Sequence, residues 1–185
     1  MHKFTEIILS STDIRKVESL AKARDAKKSK FGSGRHGKLT DSSEQSHFYG
    51  LAGEVAICKY LDIPLDETIY SDHGDEGYDV IIMGMKADIK VATHPAAQYN
   101  PWLKVPCGSK KDKDKLEKSD IFICCSYDTK RTVRVWGWVD KATLKNRKPS
   151  DPIKNSRTGK SGPVNYIVKK NELENIQKLV LTSAE

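Results

Sequence analysis

The sequence predicts a mixed α/β fold, a sandwich built around one central sheet. Helical periodicity occupies the first third of the chain, β-branched and apolar runs occupy the middle, and a short amphipathic segment closes it. At 185 residues the chain is bounded to a single domain spanning 1–185. Hydrophobic residues make up 37% and charged residues 31%, too apolar for a wholly disordered chain and too polar for a membrane protein. No apolar run approaches the roughly 18–20 residues that span a bilayer, and the N-terminus lacks a long signal-peptide core. The expectation is a cytoplasmic protein with no membrane partner.

In chain order, residues 12–26 read as a helix capped by Ser11 or Thr12, with Ile14, Val17, Leu20 and Ala21 as its apolar stripe. The segment 27–38 follows, with three glycines and five basic residues, and reads as a mobile basic loop. A second helix starts near Asp41, with Glu44 completing a capping box, and runs to Leu61, where Asp62-Ile63-Pro64 ends it. Residues 72–77 are turn-rich and acidic. Segments 78–83 and 86–93 flank Gly84 as a hairpin. Further strands are expected at 103–105, 121–127 and 132–139, then a short helix at 141–145 and a basic loop at 146–162. An edge strand at 166–168 precedes a last helix capped by Asn171 and Glu174, carrying Leu173, Ile176, Leu179 and Val180.

Charge is distributed unevenly. The net charge is +7, with seven basic residues against Asp25 alone over 22–38 and seven against Asp151 alone over 141–160. Between them, 41–79 holds ten acids against Lys59 alone. A basic periphery around an acidic middle suits a protein that attracts a polyanion and holds cations at its centre. The four cysteines, Cys58, Cys107, Cys124 and Cys125, form no Cys-x-x-Cys pair and read as reduced core thiols. Adjacent Cys124 and Cys125 point to opposite faces of their strand.

The hairpin carries the sharpest chemistry. With its turn centred near Met83-Gly84, Asp79 lies across from Asp88 or Ile89, so two carboxylates become cross-strand neighbours. Lys90 projects from the same face as Asp88, and Ile89 between them faces the core. Two acids and a lysine on one face call for a compensating ion, for which a divalent cation is the simple candidate. Glu54 supplies a third acid, set on a helix face among Gly50, Leu51, Ile57 and Cys58, so it must meet a cation or a donor. A structural ion pair from Glu54 to Lys59 or Lys90 is the competing reading. Gly50 and Gly53 cost helix propensity, which a close approach to the sheet or to a ligand explains.

These residues resemble the PD-(D/E)XK nuclease superfamily. The likeness rests on Gly50-Leu51-Ala52-Gly53-Glu54-Val55-Ala56, on Gly77-Tyr78-Asp79-Val80, and on Ala87-Asp88-Ile89-Lys90-Val91. It continues loosely through Asp120-Ile121-Phe122-Ile123 and Val135-Trp136-Gly137-Trp138-Val139, with Tyr78 standing where the name-giving proline would be. The resemblance implies a restriction-endonuclease-like core, a mixed central sheet flanked by helices. It further implies that Asp79 and Asp88, with the Ile89 carbonyl, bind Mg²⁺ or Mn²⁺. Glu54 would assist through water or at a second ion, and Lys90 would orient the attacking water and stabilise charge on the phosphate.

The function expected on this basis is metal-dependent DNA hydrolysis, as an endonuclease leaving 5′-phosphate and 3′-hydroxyl ends. Lys27, Lys28, Lys30, Arg35 and Lys38 in the first basic loop, and Arg147, Lys148, Lys154, Arg157 and Lys160 in the second, would hold backbone phosphates. Size and resemblance point to a phage or mobile-element setting. Two rivals stay open, a non-catalytic DNA-binding or assembly protein on the same fold and a junction resolvase acting as a homodimer. Weaker sites are the acidic turn of Asp72, His73, Asp75 and Glu76, with Asp75 the competitor to Asp79, and His94, Gln98 and Tyr99 after the lysine. Trp136 and Trp138, two apart on one strand, are expected on a single face and in the core, and Trp102 is a candidate for base stacking.

Overall fold

The computed structural model describes residues 4–30, 43–69, 77–93, 99–128, 130–152 and 161–181, with backbone alone at 27–30, 43–44 and 180–181. The elements in chain order are β1 (Thr5–Ile8), α1 (Ser11–Lys30), α2 (Ser43–Leu61), β2 (Val80–Ile82), β3 (Met85–Ala92) and β4 (Trp102–Pro106). They continue with α3 (Lys110–Lys118), β5 (Ile121–Tyr127), β6 (Thr132–Asp140), α4 (Lys141–Lys145), β7 (Asn165–Lys169) and α5 (Gln177–Leu181). Five strands form a mixed sheet in the order β1-β6-β5-β3-β2, in which only β3 and β5 run parallel, and β4 pairs β7 in a separate two-stranded ribbon. The α/β class is as the sequence predicts.

Strand alternation builds two cores. From β5, Ile121, Ile123 and Cys125 face α1 and α2, where they join Val17, Leu51, Ala56, Ile57 and Ile89. The intervening Phe122 and Cys124 face the ribbon and meet Leu103, Val105, Leu116, Leu144 and Val168. Cys124 and Cys125 thus point to opposite faces, and all four cysteines are free and buried. The close seat of α2 on the sheet requires Gly53, since a Cβ there would meet Val91 Cγ2 at 2.5 Å and Ile89 Cγ2 at 3.1 Å.

Several boundaries differ from expectation, each for a local reason. Ser10, not Ser11 or Thr12, caps α1: its hydroxyl accepts from the Asp13 amide at 3.1 Å while its own amide donates to Asp13 Oδ2 at 2.7 Å. The helix then continues through Lys30, so the first four residues of the expected loop 27–38 are helical, and 31–38 lie outside the described residues. β1 and α3 are elements the periodicity did not announce.

The last helix begins five residues late, at Gln177. A 3₁₀ turn occupies Lys170–Glu172, and Glu174 then exchanges backbone hydrogen bonds with Trp138, at 2.9 and 2.8 Å. Gly137, at φ 140°, makes that crossing feasible, because a side chain there would strike the Glu174 carbonyl. The register slips by one residue at Cys124/Cys125, which pair with Gly137 and Val135. Trp136 is therefore the extra residue of a bulge, and it enters the ribbon-side core while Trp138 packs against the helix-side core. The two tryptophans do not share a face.

Candidate active site

The β2–β3 hairpin closes on Met83 and Gly84, whose φ angles of 52° and 78° are both positive, as a two-residue turn of the I′ type demands. Val80 pairs Ala87 and Ile82 pairs Met85, which sets Asp79 opposite Asp88. The Asp79 amide continues the ladder by donating to the Ala87 carbonyl at 2.8 Å. Its carboxylate then folds back and accepts from the Ile89 amide at 2.6 Å, capping the strand edge where β2 has ended. A residue's N–H and C=O leave a strand on the same side, so the Ile89 carbonyl opens on this edge beside Asp79.

Asp88 is buried, and Lys90 reaches back along the strand so that its Nζ lies 2.7 Å from Asp88 Oδ1 and 2.5 Å from Oδ2. Ile89 turns the other way, into the helix-side core. A further cation approaches Asp88 from α3, with Lys115 Nζ at 3.8 Å. That helix owes its start to Ser109, whose hydroxyl accepts from the Asp112 amide while the Asp112 carboxylate accepts from the Ser109 amide and hydroxyl. The motif was visible as Ser-x-x-Asp, but no apolar stripe accompanies it.

Glu54 is buried on α2, and its partner is Arg24 of α1, whose Nη1 lies 3.4 and 3.5 Å from the two carboxylate oxygens. Lys59, one of the partners the sequence offered for Glu54, goes instead to Asp13 at 2.8 Å. Arg24 stood unremarked in the basic run, because linear spacing carries no signal for a contact thirty residues apart.

The electrostatics join these elements. Burial, then the nearby Asp88 and Glu54 carboxylates, push the Asp79 carboxyl up to about 7, against the opposing pull of Lys90 and of the Ile89 amide. The Asp88 and Glu54 carboxylates, from a strand and a helix, therefore both act on Asp79. Among the described residues, no group of three or more His, Cys, Asp or Glu side chains is set to hold a metal ion. The oxygen donors at the edge are two carboxylates and a carbonyl.

Of the residues expected to hold phosphate, Arg147 is committed to the protein. Its Nη1 donates to Glu172 at 2.9 Å and to the Ile167 carbonyl at 3.4 Å. Lys148 is exposed. The side chains of Lys27, Lys28 and Lys30, and all of Arg35, Lys38, Lys154, Arg157 and Lys160, lie outside the described residues, as do Asp72, His73, Asp75, Glu76, His94 and Gln98. Tyr99 is exposed and stacks on Arg134, with the guanidinium carbon 4.9 Å from its ring centre, and Trp102 is exposed on β4. No helix among the described residues is long and apolar enough to cross a membrane. Comparison with family models, with curated proteins and with solved structures finds no match for this chain.

Proposed function

We propose that the protein is a metal-dependent deoxyribonuclease, an endonuclease built on a restriction-endonuclease-like core, that hydrolyses phosphodiester bonds to 5′-phosphate and 3′-hydroxyl ends. The observation that carries this reading is Asp79 set opposite Asp88 on the hairpin with Lys90 paired to Asp88, and with Glu54 near enough to act on the Asp79 carboxyl. A carboxyl raised to about 7 by burial and then by neighbouring carboxylates marks a place where added positive charge is favourable. The donor set fits Mg²⁺ or Mn²⁺: both prefer hard oxygen ligands, and Mg²⁺ commonly takes only one or two carboxylates from the protein. Asp79, Asp88 and the Ile89 carbonyl would hold the ion. Bound there, it would polarise the phosphate and acidify a water.

The remaining work falls to the chain. Arg24 fixes the Glu54 carboxylate against the sheet, and Asp88 fixes the Lys90 ammonium at the site's mouth. From there Lys90 can orient a water and neutralise charge developing on the phosphate oxygens. One observation favours a second reading, a DNA-binding protein without catalysis. Asp88 already carries Lys90 and Lys115, and Glu54 carries Arg24, so these acids are compensated from within the fold.

Cleavage of supercoiled, linear and single-stranded DNA with Mg²⁺, Mn²⁺ or chelator, wild type beside Lys90→Ala, separates the two. The nuclease reading expects metal-dependent cutting that falls by about 10²–10³-fold in Lys90→Ala while DNA binding persists. Salt-sensitive binding by both proteins with no cutting of any substrate would transfer the assignment to the binding reading.

A further inference from the structure

Two glycines of α2 stand one turn apart and differ in what they touch. Gly53 is demanded by packing, as its missing Cβ would strike Val91 and Ile89. Among the described residues nothing lies within 4 Å of where a Gly50 Cβ would be, and its φ is not positive, so neither their packing nor the backbone geometry asks for glycine. Helix propensity disfavours it there. The space over Gly50 belongs to a cleft of about 250 Å³, lined among the described residues by Ser46, Tyr49 and Gly50 on α2 and by Ile89, Lys90, Val91 and Thr93 along the end of β3.

The cleft continues the candidate active site. Strand β2 pairs no further than Val80 with Ala87, so among the described residues β3 has no strand neighbour on this side beyond Asp79, and the open edge leads from Ile89 to the cleft. Its lining combines the Tyr49 ring with the hydroxyl-bearing Ser46 and Thr93, next to Lys90, whose ammonium pairs with Asp88. Tyr49 is held in place by a hydrogen bond from Gln45 Nε2 to its hydroxyl at 3.0 Å and by a tilted contact with Tyr127, ring centres 5.5 Å apart. The volume falls below the roughly 300–1,000 Å³ of sites that enclose drug-sized ligands, which leaves room for one nucleoside and none for a base pair.

We propose that this cleft seats a single unpaired nucleotide next to the phosphate that Lys90 and an ion at Asp79 and Asp88 would hold, with its base against Tyr49, and that Gly50 keeps the seat open. The proposal rests on the nuclease reading for the identity of that phosphate. It makes the substrate class DNA with an unpaired nucleotide at the cut, because a base must leave its stack to enter.

The test uses three fluorescein-labelled DNAs of one sequence, a paired duplex, a duplex with one unpaired nucleotide, and a single strand. Binding is read by anisotropy with Ca²⁺ and cleavage with Mg²⁺, for wild type, Gly50→Leu and Gly50→Ala. Wild type should favour the two unpaired substrates by about tenfold or more, the range of one base–aromatic stack. Gly50→Leu should lose that preference while melting no lower than wild type, and Gly50→Ala should lose part of it while melting higher. Should Gly50→Leu misfold, Gly50→Ala carries the comparison. A wild type without preference, or variants that keep it, overturns the proposal. Preference in binding with no cutting anywhere retains the cleft and sinks the nuclease reading. Equal cutting of paired and unpaired DNA retains the nuclease and sinks the cleft, and absence of all DNA binding sinks both.

Discussion

Asp79, Asp88 and Lys90 were legible because strand geometry is rigid: once the turn was placed at Met83-Gly84, a period of two decided which side chains share a face. Glu54 was legible only as a problem, a carboxylate on an apolar helix face, and its answer in Arg24 is a tertiary contact that no spacing encodes. The cysteines show the same division. Their core placement followed from composition, whereas their chemistry depends on surroundings. Burial and the neighbouring Glu54 push the Cys58 thiol up to about 11, burial raises Cys124 to about 12, and Cys125 lies well above its ordinary value. At pH 8 a thiol titrating at 11 is only about 0.1% thiolate, the reactive form. Ellman's reagent added to native protein at pH 8 should therefore find these thiols silent, with fast stoichiometric release only after guanidinium is added. Rapid release from the folded protein at pH 8 would show that at least one is open and acidified.

Elements with an apolar stripe and a turn signal were foreseen, including α2, the hairpin, β5 and β6. Those without one were not: α3 is almost wholly charged, with Leu116 its one buried residue, and the C-terminal helix loses its first turn to the backbone exchange between Glu174 and Trp138. The cap of α1 offers a measurement at this scale. Burial alone would raise the Asp13 carboxyl, yet Lys59 and the Ser10 amide and hydroxyl outweigh it and hold the group below the usual range. A depressed carboxyl stabilises the fold above its unfolded pKa, near 4, and that contribution disappears as pH falls through the lower folded value. Asp13→Asn should then cost about 1 kcal/mol by urea unfolding at pH 7. The gap between variant and wild type should narrow as the buffer is taken from pH 5 to pH 2. A pH-independent gap would mean that Asp13 acts through packing instead of charge.

At the scale of the molecule, the charge asymmetry of the sequence divides into charges the fold consumes and charges it leaves outside. The mixed sheet uses one face for the long helices and the other for the β4–β7 ribbon, and several bases tie elements of the fold together through ion pairs. Arg147 is such a tie, with β7 and the 3₁₀ turn as its partners and a buried Nε that has no partner among the described residues. Lys148, its neighbour in sequence, is exposed. A linear reading scores the two alike, which is why the basic tract 146–162 could be recognised as a tract but not resolved into members. If the protein grips DNA through phosphates, the two should part in a salt titration. Each phosphate contact on duplex DNA adds about 0.9 to the slope of log K against log salt. Lys148→Ala should lower that slope by about this amount and leave the melting temperature unchanged, whereas Arg147→Ala should lower the melting temperature and leave the slope as in wild type. The reverse assignment would mean that Arg147 leaves Glu172 when DNA binds, so that the ion pair joining β7 to its 3₁₀ turn belongs to the free protein alone.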